Sequence, residues 1–600
     1  MFFRVKRKVK LMLTKKKRTI LLVVIAAVVL LVVLIPFLVM KISKAFTAQE
    51  QAVRTDWSFD TGNVVDQSAE WNVDITQANL GDGLNALQLV PQDIQSEGFT
   101  YYDLGVQQRL HQVIEELKSL NDVTWSASQP LTILNPYGTG SNGLYFYFET
   151  EVEAKINYTI HVQDSDIPDY TAQAADISGE EYSKTHEFQM IGLVPGETNE
   201  VTMTVTGSWG NTRQVVHFTV EMPETKSGYA TRLEVTQGSS GQEQTDGLFA
   251  MMRVNGYLGY GFFFDNDGIL RYEMVLEGYG LDRLLFYENE IITCVSSSKL
   301  ARINGLGQVT QIYELGDYDL HHDIGFGAEG EVLALAEERG NETVEDRLLS
   351  IDLETGQVTE RINFSTLMEP YYETTREVGP SDAFFWQAGE RDWIHLNSLV
   401  YLAEEDSVIL SSRETSTIIK VTNLHDGPEI EWLLGDESVW QDTSYSEKCL
   451  TQEGDFVPQY GQHCVEYYAD GEEDGVYYLS LYNNNYWSTN SRDVTLELEE
   501  SVSTELYGSD GITSQVYVYR IDENEGTYSL QSSFDVPYSS IVSNGSLCED
   551  SDHWVVNSGM AMVFGEYDED GVLIRQYEYE CTMQNYRTFK YDMDLWLWNE

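Results

Sequence analysis

The spacing of apolar and polar positions changes repeatedly along the 600-residue chain. Residues 19–40 (TILLVVIAAVVLLVVLIPFLVM) are apolar with no charge among them. As a helix rising 1.5 Å per residue they reach about 33 Å, enough to cross a bilayer. Residues 49–100 are polar and read as a spacer or peripheral layer. Over 105–121 apolar residues recur at Val106, Leu110, Val113, Ile114, Leu117 and Leu120, the three-and-four spacing of an amphipathic helix. From Thr124 to Met222 the period drops to two. Segments 144–148, 156–162, 188–193, 201–205 and 215–220 read as strands between Gly, Asn, Asp and Pro turns. A β-sandwich over 124–223, of the fibronectin/Ig kind, accounts for them.

Residues 228–600 contain a repeat of strand, turn and strand, as in FFFDNDGILRYEM and VFGEYDEDGVLIRQY. Its turn glycines are Gly268, Gly307, Gly356, Gly427, Gly526 and Gly571, at steps from 39 (Gly268 to Gly307) to 99 (Gly427 to Gly526). A mean step of about 61 residues suits a four-stranded blade with loops of unequal length. Isolated hairpins cannot bury their faces, so six in series predict a closed six-bladed β-propeller. The longest steps mark the long loops, where function usually sits. The fold class is therefore mainly β: tail 1–18, membrane segment 19–40, spacer 41–123 with its helix, sandwich 124–223 and propeller 228–600.

Charge changes this picture in one respect. The chain holds 37 Lys and Arg against 97 Asp and Glu, a net −60. Eleven of the basic residues lie within 1–48, which has no acid, so the remainder carries −71. Most of those basic residues precede 19–40, and the positive-inside rule puts the N-terminus in the cytoplasm. An uncleaved signal anchor is expected, with the acidic bulk outside the membrane, because the apolar run exceeds a usual signal-peptide core. A body this acidic excludes nucleic acid as a general partner, and an anionic substrate would need a local basic pocket.

Five cysteines (Cys294, Cys449, Cys464, Cys548, Cys581) show no zinc-type spacing. Cys449 with Cys464, and Cys548 with Cys581, are candidate bridges. Histidines cluster in three propeller segments: Asp319-Leu320-His321-His322-Asp323, then Asp392-Trp393-Ile394-His395-Leu396-Asn397-Ser398, then Gln462-His463. Between the last two, Arg413 ends an apolar strand, where a buried charge needs a partner or a ligand. Innermost strands of different blades line one channel, so residues far apart in sequence can converge there. Three readings fit these residue types. A metal site is one, against which Arg413 argues. A structural polar network is another. An anion-transfer site is the third, with His as nucleophile or acid/base and Arg holding tetrahedral oxygens.

The ordered segments His-His-Asp, D-W-x-H-x-N-S, I-L-S-S-R and Q-H over 319–464 resemble those of the bacterial arylsulfate sulfotransferases. Those enzymes use aryl sulfates instead of the nucleotide donor PAPS. The resemblance implies a sandwich followed by a six-bladed propeller, an aryl sulfate donor, a phenol acceptor and no cofactor. It implies His463 as the group that takes the sulfuryl moiety in a ping-pong reaction. His395, Asn397 and Arg413 would hold the sulfate oxygens, and His322, with His321, would act near the phenolic oxygen. It also implies a cysteine pair near the nucleophile, at Cys449 and Cys464, and a polar contributor from a late blade among Tyr538, Ser539, Ser540 and Ser543. No metal is implied. The single Lys-Ser-Gly, Lys226-Ser227-Gly228, has no helix pattern after it and does not support a nucleotide-dependent sulfotransferase. The alternative from another class is a non-catalytic propeller that binds a sulfated or anionic ligand at the cell surface.

Overall fold

The computed structural model describes residues 49–55, 72–95, 100–121, 123–255, 258–280, 283–469, 473–508, 511–548, 551–580, 585–593 and 598–599. The expected membrane segment 19–40 and Cys581 lie outside them. Among the described residues no helix is long and apolar enough to cross a membrane.

The sandwich is built on one long strand, Leu144–Val162. Its first half pairs with Leu131–Leu134 and Ser183–Met190, its second with Thr198–Gly207 and Tyr170–Ala174. The change of partners spans an irregularity between Glu149 and Ala154. The sequence pattern divides this strand in two because its middle, Glu149 to Glu153, is polar and mostly exposed. Strands Gln49–Ala52, Val73–Gln77 and Leu87–Pro91 extend the same sheet, so part of the polar 49–100 region is a peripheral layer.

The expected helix is observed over Leu104–Lys118. Asp103 caps it by accepting from the Val106 N–H at 3.0 Å, and Val106, Leu110, Val113, Ile114 and Leu117 are buried along one face. Gln107 joins it to the propeller, accepting from the Val309 N–H at 3.1 Å.

Six sheets make the propeller. The second, third and fourth blades are consecutive four-stranded meanders beginning at Leu285, Tyr318 and Leu396. The fifth begins at His463 and gains an outer strand, Thr451–Glu453. Closure uses both ends of the domain. Thr588–Tyr591 supplies the innermost strand of the first blade, beside Leu248–Asn255. Glu234–Gln237 is added at the outer edge of the sixth, beside Leu573–Glu578. Each of the six predicted glycines falls in the hairpin joining the outer strands of its blade, with φ between +69° and +120°, a region open to glycine without steric penalty.

In an antiparallel meander the start of the innermost strand and the connection between the second and third strands share one face. The sequence motifs fall at those places in the third, fourth and fifth blades, so this face carries the site.

Candidate active site

Three innermost strands break their ladders where the motifs lie. Register shifts occur between Leu320 and Ile324, between Leu396 and Ser398, and between His463 and Glu466. Such bulges re-aim side chains that regular pleating would send into the blade. His322, His395 and Cys464 sit in or beside these irregularities with φ of +59°, +47° and +52°. A left-handed backbone costs a non-glycine residue about 1–3 kcal/mol and persists where surrounding structure enforces it.

His463 is buried and fixed in one tautomer. Its Nδ1 lies 2.9 Å from the Gly461 carbonyl and 2.8 Å from Asn484 Oδ1. Asn484 is oriented by donating its own amide to the carbonyls of Ser539 (2.7 Å) and Val542 (2.9 Å). With two acceptors facing it, Nδ1 carries the proton and Nε2 keeps its lone pair. The Val542 N–H points at that lone pair from 3.3 Å. Burial, opposed by the Asn484 hydrogen bond and aided by the nearby His395, His322 and Arg413, pushes His463 well below the ordinary imidazole range. It is a neutral base.

His395 has the opposite character. Burial and Arg413 disfavour its charged form, but Asp392 and Glu345 outweigh them and bring it up to about 9. Asp392 Oδ2 lies 2.9 Å from its Nδ1, and Glu345 Oε2 crowds the same atom. With Nδ1 committed, Nε2–H is the atom offered to a ligand. The same Asp392 oxygen accepts from Arg413 Nη2 at 2.9 Å. The Arg413 guanidinium lies over the Phe384 ring at 4.1 Å, so carboxylate and ring fix its plane.

His322 lies 4.9 Å from His395 between ring centres and 3.2 Å from Glu345 Oε1. Burial lowers its proton affinity. His321 packs edge-on against His322, and burial pushes it down to about 3. Asn397 is fully buried, and its amide donates to the Gln462 carbonyl at 2.8 Å, one residue before His463. That amide holds the His463 segment, while the Asn397 Oδ1 is buried with no hydrogen-bond partner.

Two protein-family models match the chain: Arylsulfotransferase (ASST) over 234–593, more than half of it, and the Arylsulfotransferase Ig-like domain over 131–223. The chain belongs to the arylsulfotransferase family. It is thus a sulfotransferase of a family that uses aryl sulfate donors and phenol acceptors. A search of curated proteins finds no match. Solved structures that it resembles include the periplasmic gluconolactonase of Pseudomonas aeruginosa, at 9% identity over 74% of this chain and 100% of that one, with a TM-score of 0.30. TolB of Acinetobacter baumannii is 12% identical over 66% of this chain and 81% of its own, with a TM-score of 0.28. Likenesses this weak carry no argument.

The arylsulfotransferase propeller uses residues that its motifs do not announce. Glu345, between the second and third strands of the third blade, faces both His322 and His395. Tyr586 stacks on His322 at 5.1 Å and meets His463 edge-on at 6.0 Å. Beside it, Arg587 pairs with Asp323 at 3.0 Å and donates to the Asn397 carbonyl. These two residues lead into the closing strand. The late-blade contribution comes instead through Val542 and the Ser539 carbonyl, while the Tyr538 hydroxyl turns away to the Glu505 carbonyl at 2.8 Å.

Both long loops reach this face. The connection between the third and fourth blades places Phe384 over Arg413. The insertion after Asn483 is clamped by buried Glu414, which accepts from the Ser491 N–H at 2.8 Å and its hydroxyl at 3.0 Å.

The expected bridge between Cys449 and Cys464 is not formed; both are free thiols. Cys449 borders Leu433 on the outermost strand of the fourth blade. Cys464 lies on the innermost strand of the fifth and turns inward, with Ser546 Oγ at 3.7 Å. The width of a blade separates the two environments. Burial pushes both thiols up to about 11, which leaves them protonated and inert. Cys548 is also free, with Thr245 donating to its sulfur at 3.6 Å.

Proposed function

We propose that this arylsulfotransferase moves a sulfuryl group from an aryl sulfate to a phenol in two half-reactions through His463. The observation that carries the reading is the enforced tautomer: Gly461 and Asn484 hold the Nδ1 proton, so the Nε2 lone pair is presented to sulfur. In the first half-reaction Nε2 forms a bond to sulfur as the bond from sulfur to the aryl oxygen breaks. The transition state resembles that of phosphoryl transfer, loose and rich in charge on its equatorial oxygens, so placement and electrostatics do most of the work. The Arg413 guanidinium and the charged His395 supply that electrostatic complement. The Val542 N–H, which caps Nε2 at rest, is freed to meet a sulfuryl oxygen.

The positive charge that develops on the sulfated imidazole is met at Nδ1–H by its two oxygen acceptors. His395, held protonated by two carboxylates, is matched to a phenolic oxygen of pKa about 10 and returns a proton to it on cleavage. This transfers to His395 the acid role that the family resemblance gave His322, which burial keeps neutral. In the second half-reaction a phenol gives its proton to the now neutral His395 and bonds to sulfur as the bond from sulfur to Nε2 breaks, which restores His463. No cofactor enters these steps. We also read residues 19–40 as a signal anchor that leaves the propeller outside the membrane; their length, lack of charge and basic N-terminal flank support it.

The test is intact-mass measurement after brief exposure of the full-length protein to aryl sulfate without acceptor. One added sulfuryl group is expected, absent from His463→Ala and discharged by phenol. An unmodified chain that nevertheless turns over donor and acceptor together would replace the two-step reading with direct transfer.

A further inference from the structure

A second arrangement is built into the same face, beside the nucleophile. His322, Glu345 and His395 each offer one ligand atom, and these atoms lie within 4.8 Å of one another. They come from three separate segments: the bulge of the third blade's innermost strand, a connection within that blade, and the entry to the fourth. The backbone is left-handed at all three, with φ of +59°, +56° and +47°. Neither ring nitrogen of His322 has an aligned hydrogen-bond partner, although both are shielded from solvent. Glu345 Oε2 is likewise shielded and crowds His395 Nδ1 without hydrogen-bond alignment. Three strained residues thus bring potential ligand atoms to one point, that of His395 becoming free once its proton leaves.

Two imidazoles and a carboxylate form a donor set suited to Zn²⁺, with a fourth position left for water or substrate. The objection that Arg413 raises in the sequence is removed by its surroundings. Asp392 meets its guanidinium at 2.9 Å and Glu414 lies 3.8 Å away. The guanidinium is thus matched by carboxylates of its own, and Glu345, which faces the two imidazoles, is left to meet a cation.

We propose that His322, Glu345 and His395 bind a divalent transition-metal ion of the Zn²⁺ type, and that this ion stops sulfuryl transfer. Metal binding releases the proton of His395 and takes a lone pair from each imidazole, so metal and reacting donor exclude one another. The exclusion rests on the transfer reading above, whereas the binding does not.

The experiment titrates untagged full-length protein with Co²⁺ and follows its visible absorption, which reports nitrogen ligation and coordination number. One Co²⁺ per chain with four- or five-coordinate bands, displaced by Zn²⁺, is expected. Affinity should fall at least about tenfold in His322→Ala and in Glu345→Gln. It should be unchanged in His161→Ala, whose imidazole is a half-exposed partner of Asp169 in the sandwich. Failure of the wild type to bind stoichiometrically overturns the site, as does binding that survives both substitutions. Stoichiometric binding without loss of aryl sulfate turnover overturns the exclusion alone. Because binding is read without any sulfuryl donor, loss of the transfer reading would leave this measurement standing.

Discussion

At the rim of the propeller, the six blade hairpins need a left-handed residue each, and each has glycine: Gly268, Gly307, Gly356, Gly427, Gly526 and Gly571. Around the axis the same backbone demand falls on residues other than glycine, among them the four His322, Glu345, His395 and Cys464. The rim takes the conformation from the residue that enters it freely; the axis holds it against a cost of about 1–3 kcal/mol per residue. Summed over four residues, that strain is comparable with the net stability of a typical domain. The rim needs only a turn. The axis needs an imidazole or carboxylate aimed inward, and side-chain identity there outweighs backbone ease.

Substitution at the axis should therefore remove chemistry while sparing the fold. The largest effect is expected for His463→Ala, which leaves sulfur with no nucleophile: turnover falls on the order of 10⁴-fold or more. Steady-state kinetics with an aryl sulfate and a phenol check it, alongside thermal unfolding to show the fold intact. Residual turnover within tenfold of wild type would take His463 out of the chemistry. Arg413→Lys comes next. Lysine keeps the charge but cannot lie flat over Phe384 while bonding Asp392, so kcat should drop about 10²-fold. An unchanged kcat would reduce Arg413 to a fold-stabilising cation.

A smaller effect comes from pH. His395 must hold its proton, and burial and Arg413 are outweighed by Asp392 and Glu345 to place it at about 9. Its folded value is raised, so the charged form is complete at neutral pH and is lost as pH rises through about 9. Activity should fall on the alkaline side by about tenfold per unit above that point. On the acid side His463 is depressed well below its ordinary value, so no loss is expected as pH falls through the normal imidazole range. A profile that collapses there would mean His463 is protonated at rest.

The rim was legible in the sequence because its code is local: a turn glycine between apolar strands, repeated six times. The linear motifs were legible for the same reason, since Asp392 to Asn397 and Gln462-His463 each occupy one strand entry. What escaped is set by distance in the chain. Glu345 lies in the acidic run Asn341 to Asp346, where one functional carboxylate looks like its solvated neighbours in a protein with 97 acids. Tyr586 and Arg587 become part of the site only because Thr588–Tyr591 closes the ring against Leu248–Asn255, more than 300 residues away. The cysteine pairing failed because closeness in sequence says nothing of which edge of a blade a residue occupies. The long strand Leu144–Val162 was divided because exposed acids in mid-strand mimic a turn.

The smallest expected effect tests the rim directly. Gly526 lies in the outer hairpin of the fifth blade with φ +69°, and a Cβ there would meet no atom within 4 Å. Gly526→Ala therefore changes the backbone cost and almost nothing else, about 1–2 kcal/mol against the fold. For a propeller of this size that lowers Tm by only a few degrees. Turnover below the unfolding range should be unaltered, because strain added at the rim has no side chain to redirect at the axis. A fall in kcat at temperatures where the variant is fully folded would show that hairpin geometry reaches His463 through the fifth blade, and the division between rim and axis would fail.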